Sequence, residues 1–541
     1  MLKRYPHNLS HKVNGSVNMG RCYPCTIFEV FPGDSFKIQA ENLTRFMPQI
    51  TPTMTEVSVG IDFYQIPTRQ LFDKLGLDWD AFLTGGENGD DTSVLPTITI
   101  PETGYESGGL ADWLNYPTNY TDPESGEKVI VGAGLVLNAL PVVAYMHVIN
   151  ENYRDQNFIA KLDLTKYQEF LDGEYAFTTP AGDSIEYDLL VNGLFRKAWS
   201  RDYFGRSMSN TQRGPAVRVP MVGNAPVIGN GLTLGLTDGI NSVGLATDSQ
   251  NNLTGALSGY GEVVGTARSG SSVSSSKSIG VTTDSEKSGI IADLSGVTAV
   301  DLLTFRLAAR MQRFGEILQK AGARAVEYTY HMFGVRIPDA RIQRPIFHGS
   351  FKLPVIFSEV LQTSQTTNDS PQGTLAGHGI TGGTNLPIHI KCIEHGYVIA
   401  IMHVMPRPQY QNIVPKYLLR STRWDIPNPL FQHIGDQPVK RVEIYPNSEN
   451  PDENFGYVPH YSELSFIPST IHGLMKGDML HWTMARVFDT EPVLSAAFRY
   501  GQPSRRSFAV QDQDEMQMSI GFHIRARRPF VKNPQPGIHI V

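Results

Sequence analysis

The stretch Ile27-Phe-Glu-Val-Phe31-Pro-Gly-Asp34-Ser-Phe36-Lys-Ile-Gln-Ala40-Glu41 sets the fold class. Its first five residues form a mostly apolar run, and Pro32-Gly33-Asp34-Ser35 is a turn signal. Beyond the turn, Phe36, Ile38 and Ala40 alternate with Lys37, Gln39 and Glu41, the period of a half-buried strand. Val57 to Phe63 repeats that period before Pro67 closes it. Tyr397 to Met402, Val442 to Tyr445 and Met518 to Ile524 are further β-like runs late in the chain. Residues 67 to 140 are loop-rich, broken by Gly85-Gly86 and Gly108-Gly109. The pattern predicts an all-β fold with long insertions.

Few helices are expected. Val142 to Tyr153 is one candidate, with Tyr145, Ile149 and Tyr153 on one face. The clearest runs from Thr298 to Ala321, where Leu303, Leu307, Met311, Phe314 and Leu318 recur at spacings of three and four. Thr298 is its candidate N-cap and Gly322 its stop. The stripe reads as a helix packed on a β core. From Met221 to Gly289 the composition breaks: nearly half the residues are Gly, Ser or Thr, and Tyr260 is the lone aromatic. Such a segment cannot build a large core and reads as a surface insertion or linker. The expected division is therefore 1–215, an insertion at 216–297, and 298–541.

The chain has 541 residues, 40% hydrophobic and 18% charged, with a formal net charge of −7. That apolar fraction excludes global disorder, while low charge with 50 Gly and 35 Pro suits a loop-rich β protein. Three Cys form no disulfide framework and point to a reducing compartment. The opening residues, Met1 to Asn8, lack an apolar signal core, and the apolar run around Val131 to Tyr145 falls short of a membrane span. No membrane insertion is expected.

Catalytic and metal motifs are not found. Cys22-Tyr-Pro-Cys25 leads into a strand rather than opening a helix and has no second ligand pair, so it reads as ordinary core. His395 and His403 lie eight residues apart, about 26 Å on a strand, too far to share a metal. No cofactor and no metal are expected. The basic residues Lys3, Arg4, Arg525, Arg527, Arg528 and Lys532 are candidates for phosphate contact. Arg341 and Arg344, set between Pro338 and Pro345, are candidates for an assembly interface.

Several blocks together resemble one family. Asn18-Met-Gly20 and Glu29 to Phe36, Asn138-Ala-Leu-Pro141 with Asn150 to Asn157, Arg201-Asp-Tyr-Phe204 with Gln212 to Pro215, Phe333 to Pro345, Glu394 to Val398 and Phe455-Gly-Tyr457 fall in one order along the chain. They resemble major capsid proteins of the Microviridae, small single-stranded DNA phages, in their gokushovirus form. Ile337 and Ile342 depart from the family's usual Ser and Leu. The resemblance implies an eight-stranded antiparallel jelly roll with long inter-strand insertions. It further implies sixty copies in a T=1 icosahedral shell around circular single-stranded DNA, and no enzymatic activity. Its implied partners are other copies of the chain, a small basic DNA-binding protein, an internal scaffolding protein, a DNA pilot protein and a host cell-surface receptor. The basic protein is also required by charge, because a chain at −7 cannot neutralise packaged DNA. The Gly/Ser-rich insertion would form threefold protrusions used in host attachment, with Tyr260, Arg268, Ser271 and Lys277 as receptor candidates. The virion is the expected location, after assembly in the host cytoplasm. A carbohydrate-active β enzyme and a receptor-binding fibre domain are the competing readings. Neither would form closed spherical particles.

Overall fold

The computed structural model describes residues 3–87, 92–214, 343–361 and 375–532, two helices at 302–321 and 325–333, and short strands between 227 and 292. Eleven strands, numbered in chain order, build the framework: β1 (Tyr5–Asn8), β2 (His11–Val17), β3 (Cys22–Val30), β4 (Ser35–Phe46), β5 (Val57–Pro67), β6 (Ile346–Pro354), β7 (Ile356–Leu361), β8 (Leu375–Thr384), β9 (Ile388–Lys391), β10 (Gly396–Pro406) and β11 (Met516–Arg528). They form two antiparallel sheets. One runs β1-β11-β4-β8-β7, with β2 also on β11 and β9 also on β4. The other runs β6-β5-β10-β3. The expected all-β class is met.

Sequence explains which faces are covered. In β4, Phe36, Ile38 and Ala40 are buried while Lys37 and Glu41 are exposed, as period-two alternation requires of a sheet with one wet face. In β10, by contrast, Gly396 to Met402 are all buried, because this sheet is covered on both faces. Phe63 of β5 meets Phe522 of β11 edge-on at 6.5 Å between centroids, across the space between the sheets. The far side of the second sheet is covered by helix α1 (Leu140–Val148) and the π-turn Ile149–Tyr153. The Tyr145 hydroxyl donates to the Cys22 carbonyl at 2.8 Å, and the Tyr153 hydroxyl to Asp62 at 2.6 Å. The helix expected at 142–153 is thus present, starting two residues earlier. A second, smaller core gathers Tyr203, Phe204, Tyr410, Val439, Phe455 and Phe498.

Two expectations are corrected. Val442 to Tyr445 is no strand: Arg441–Ile444 is one helical turn, fixed by the Glu443 carboxylate accepting from the Lys440 N–H at 2.9 Å. The long helix, α2 (Leu302–Ala321), forms, and Thr298 and Gly322 lie outside the described residues. Its stripe does not face a core, since Leu307, Met311 and Phe314 are each about half exposed, at 59%, 54% and 47%. Periodicity identified the helix but carries no information on what covers it.

The chain divides into two compact units, residues 1–213 with 316–541, and residues 214–315. Within the second, Val227–Gly229 pairs with Ile290–Ala292, and Gly235–Thr237 pairs with Ser242–Gly244 and Gly280–Val281. No described helix is long and apolar enough to cross a membrane.

A candidate polyanion-binding sheet face

The wet face of the larger sheet collects basic residues that lie far apart in sequence. Register places Arg525 of β11 opposite Lys37 of β4, and Lys37 in turn opposite His389 of β9. Arg527 and Lys391 flank Ser35 in the next outward row, about 7 Å along the strands. All five side chains are exposed. Directly opposed residues on one face have Cβ atoms about 4.5–5.5 Å apart, where like charges repel and destabilise the sheet. A bound anion relieves that repulsion. Beside the first row lies a cleft of about 570 Å³ lined by Asn8, Ser10, Lys37, Gln39, His523 and Arg525. Lys12 and Arg45 extend the cationic face, and Glu41, 3.5 Å from His523, is the carboxylate on β4 beside them.

The residues singled out in sequence divide sharply. Arg525 and Arg527 belong to these rows, and Lys532 is exposed just beyond β11. Arg528 is committed within the fold. Its Nε lies 3.2 Å from the fully buried Asp34 side chain, its Nη2 donates to the Glu29 carbonyl at 2.7 Å, and its guanidinium covers Phe31 and Phe36. Burial pushes the Asp34 carboxyl up, opposed by the Phe31 N–H and Arg528. Arg4 sits against Gly33 beside that carboxylate, and Lys3 lies over the Tyr5 ring. Lys37, His389 and Lys391 were missed. Alternation had already put Lys37 on a wet face, but only pairing shows that Arg525 and His389 flank it.

Other candidates resolve individually. Arg344 Nη2 donates to the Glu151 carbonyl and to Asn152 Oδ1, both at 3.1 Å within the chain. Arg341, Tyr260, Arg268, Ser271 and Lys277 lie outside the described residues. Cys22 and Cys25 are buried, and burial pushes the Cys22 thiol up to about 12. His395 lies against Phe31 and Trp79, whereas His403 contacts the Gly60 carbonyl at 3.1 Å. Among the described residues no group of three His, Cys, Asp or Glu is placed to hold a metal.

Two of the sequence blocks prove to be polar anchors. Asp155 takes contacts from Arg499 and Arg201 at 3.3 and 3.5 Å, and its N–H donates to the Tyr500 hydroxyl at 2.6 Å. The hydroxyls of Tyr410 and Tyr203 donate to Asp202 and Glu443 at 2.7 and 2.9 Å.

Comparison with known proteins gives a consistent result. The family described as Capsid protein (F protein) matches residues 1–538. The Capsid protein VP1 of Bdellovibrio phage phiMH2K is 30% identical over 91% of this chain and 87% of its own length. That of Chlamydia phage 1 is 28% identical over 99% and 96%, and that of Spiroplasma virus 4 is 26% identical over 98% and 94%.

Proposed function

The chain belongs to the phage capsid protein (F protein) family, and from that premise we propose that it closes a T=1 icosahedral shell of sixty copies around circular single-stranded DNA. Its relatives are gokushovirus capsid proteins, and the family is structural rather than enzymatic, so the chain is a capsid protein and a component of the virion. The finer reading of the fold is an eight-stranded jelly roll built from β2 to β6 together with β8, β10 and β11. Counted in chain order, these eight give first-eighth-third-sixth in one sheet and second-seventh-fourth-fifth in the other. That order supports the reading, because folding one long antiparallel ribbon over on itself places the strands so.

The shell reading rests on the family match along almost the whole chain. Electron microscopy of the purified full chain tests it: closed spherical particles of uniform size are expected, and monomers or trimers alone would favour an enzyme or a fibre domain. The small basic protein, scaffolding protein, pilot protein and host receptor remain partners in this proposal, supported by the resemblance. The insertion at 216–297 is proposed as the threefold attachment protrusion, supported by the resemblance and by its composition.

The genome contact is proposed at Arg525, Arg527, Lys37, His389 and Lys391, with Lys532, Lys3 and Arg4 around them. Arg528 is left out because Asp34 occupies it. Support comes from like charges held in register on an open face. Substituting Lys37→Gln, Arg525→Gln and Arg527→Gln together is expected to weaken single-stranded DNA binding at low salt. It should also flatten the plot of log affinity against log salt by about 2, at roughly 0.7 per phosphate contact. An unchanged slope in a folded variant removes the face from the genome contact.

A further inference from the structure

A second surface, remote in sequence from the cationic sheet, has the composition of an interface core. Ile426-Pro-Asn-Pro-Leu430-Phe-Gln-His-Ile434 contains no Asp, Glu, Lys or Arg across nine residues. Its large side chains point outward: Leu430 is 84% exposed, Ile434 and neighbouring Trp424 67%, and Ile426 62%. The segment is nonetheless held firmly. Thr422 and Asp425 form a reciprocal capping box, the Asn428 side chain accepts from the Leu430 N–H at 3.0 Å, and the Asn428 N–H donates to the Tyr461 hydroxyl at 2.9 Å. A cleft of about 420 Å³ opens beside it, with Leu419, Trp424, Phe431, Ile434 and Tyr461 among its lining residues. Of the nearby charges, Arg420 pairs with Glu463 at 3.1 Å and Lys440 with Asp452 at 2.7 Å, while Arg423 lies over the Trp424 ring.

An apolar centre depleted of charge, with paired ions at its margin, is the anatomy of a protein–protein interface. Apolar side chains fixed in exposed positions are also costly for a chain that stays alone in water. Three-ten turns and caps remove most of the ordering cost of docking, since the side chains are presented already in place. We infer that the 424–434 segment and its cleft form a contact between copies of this chain in the assembled shell. The occupant is a second copy because the chain is a capsid protein, whose surroundings in a shell are other copies of itself. The inference rests on the shell-forming reading.

Cysteine labelling tests it. The chain's own thiols, Cys22, Cys25 and Cys392, are buried, and burial pushes them all above the ordinary range, so they stay silent. Leu430→Cys and Ile426→Cys, each in the full chain, are assembled and exposed to a maleimide. Labelling at least tenfold slower in shells of this chain alone than in subunits released from them is the expected result. Variants that melt like the parent yet yield no shells support the same contact. Equal labelling rates in shell and subunit overturn it. So does protection found only in particles carrying another protein, which assigns the face to that protein. If the unmodified chain forms no particles, the shell reading itself fails, whereas equal labelling in particles that do form removes this contact alone.

Discussion

Gly396→Ala is expected to leave most of the chain insoluble, with any soluble remainder melting far below the parent. An added Cβ at this position would lie 2.3 Å from the Ile66 carbonyl oxygen and 3.1 Å from the Pro67 Cα. Both obstacles are backbone of the adjacent strand β5, so no rotamer change relieves the clash. The strands must part where Gly396 lies opposite Pro67, beside the hydrogen bond from the Thr68 N–H to the His395 carbonyl at 2.8 Å. Overpacking a well-filled core costs about 1–3 kcal/mol, and an immovable neighbour pushes the figure upward. A domain has only about 5–15 kcal/mol to lose. Gly76→Ala is the control: its Cβ would meet nothing within 4 Å, and only the left-handed backbone, at φ 72°, resists it. That change should cost about 1–2 kcal/mol. Soluble yield and thermal melts of the two variants separate collision from conformational preference. Similar behaviour of both would refute the steric account.

Arg499→Met should cost about 3–5 kcal/mol, the range for breaking a buried ion pair by removing one partner. Arg499 and Asp155 are 3% and 7% exposed, and without Arg499 the carboxylate keeps only the Asn157 N–H at 3.2 Å and, at 3.5 Å, the half-exposed Arg201. The carboxylate would be left in the interior with most of its compensation gone. Adding Asp155→Asn to Arg499→Met removes that charge, so the double variant should lose less than the sum of the two single losses in urea unfolding. Strict additivity would mean that the pair is not coupled.

The sequence made the strand-bearing regions legible because half-buried strands write their geometry as alternation. Residues 36–41, 57–63 and 518–524 show this directly, and the fully covered β10 shows it as an unbroken apolar run. At Val442–Tyr445 four mostly apolar residues were too few to choose between periods, and a side-chain bond from Glu443 to the backbone decided for a helical turn. The charged residues were less legible. Arg525, Arg527 and Arg528 look alike as a basic run, yet the first two face water and the third is neutralised by a carboxylate in the turn before β4. Lys37 and His389 join Arg525 through pairing between strands hundreds of residues apart, and single-sequence periodicity holds no record of such partners. The apolar 426–434 segment carried its signal openly, as nine residues without a charge, but reads as core until its exposure is known.

The position of β11 has a consequence for how the chain is made. This strand, at residues 516–528, lies between β4 on one side and β1 and β2 on the other, so the first strands synthesised have no edge to join until nearly the last one emerges. A ribosome-bound chain that has completed every strand through β10 still presents β4 as an open edge, with Ile38, Ala40 and Phe46 lacking Ile524, Phe522 and Met516 opposite them. Translation that stops early therefore yields a polypeptide that cannot close its larger sheet. Closure of the larger sheet is in this way conditional on β11 having been made, a condition imposed by strand order.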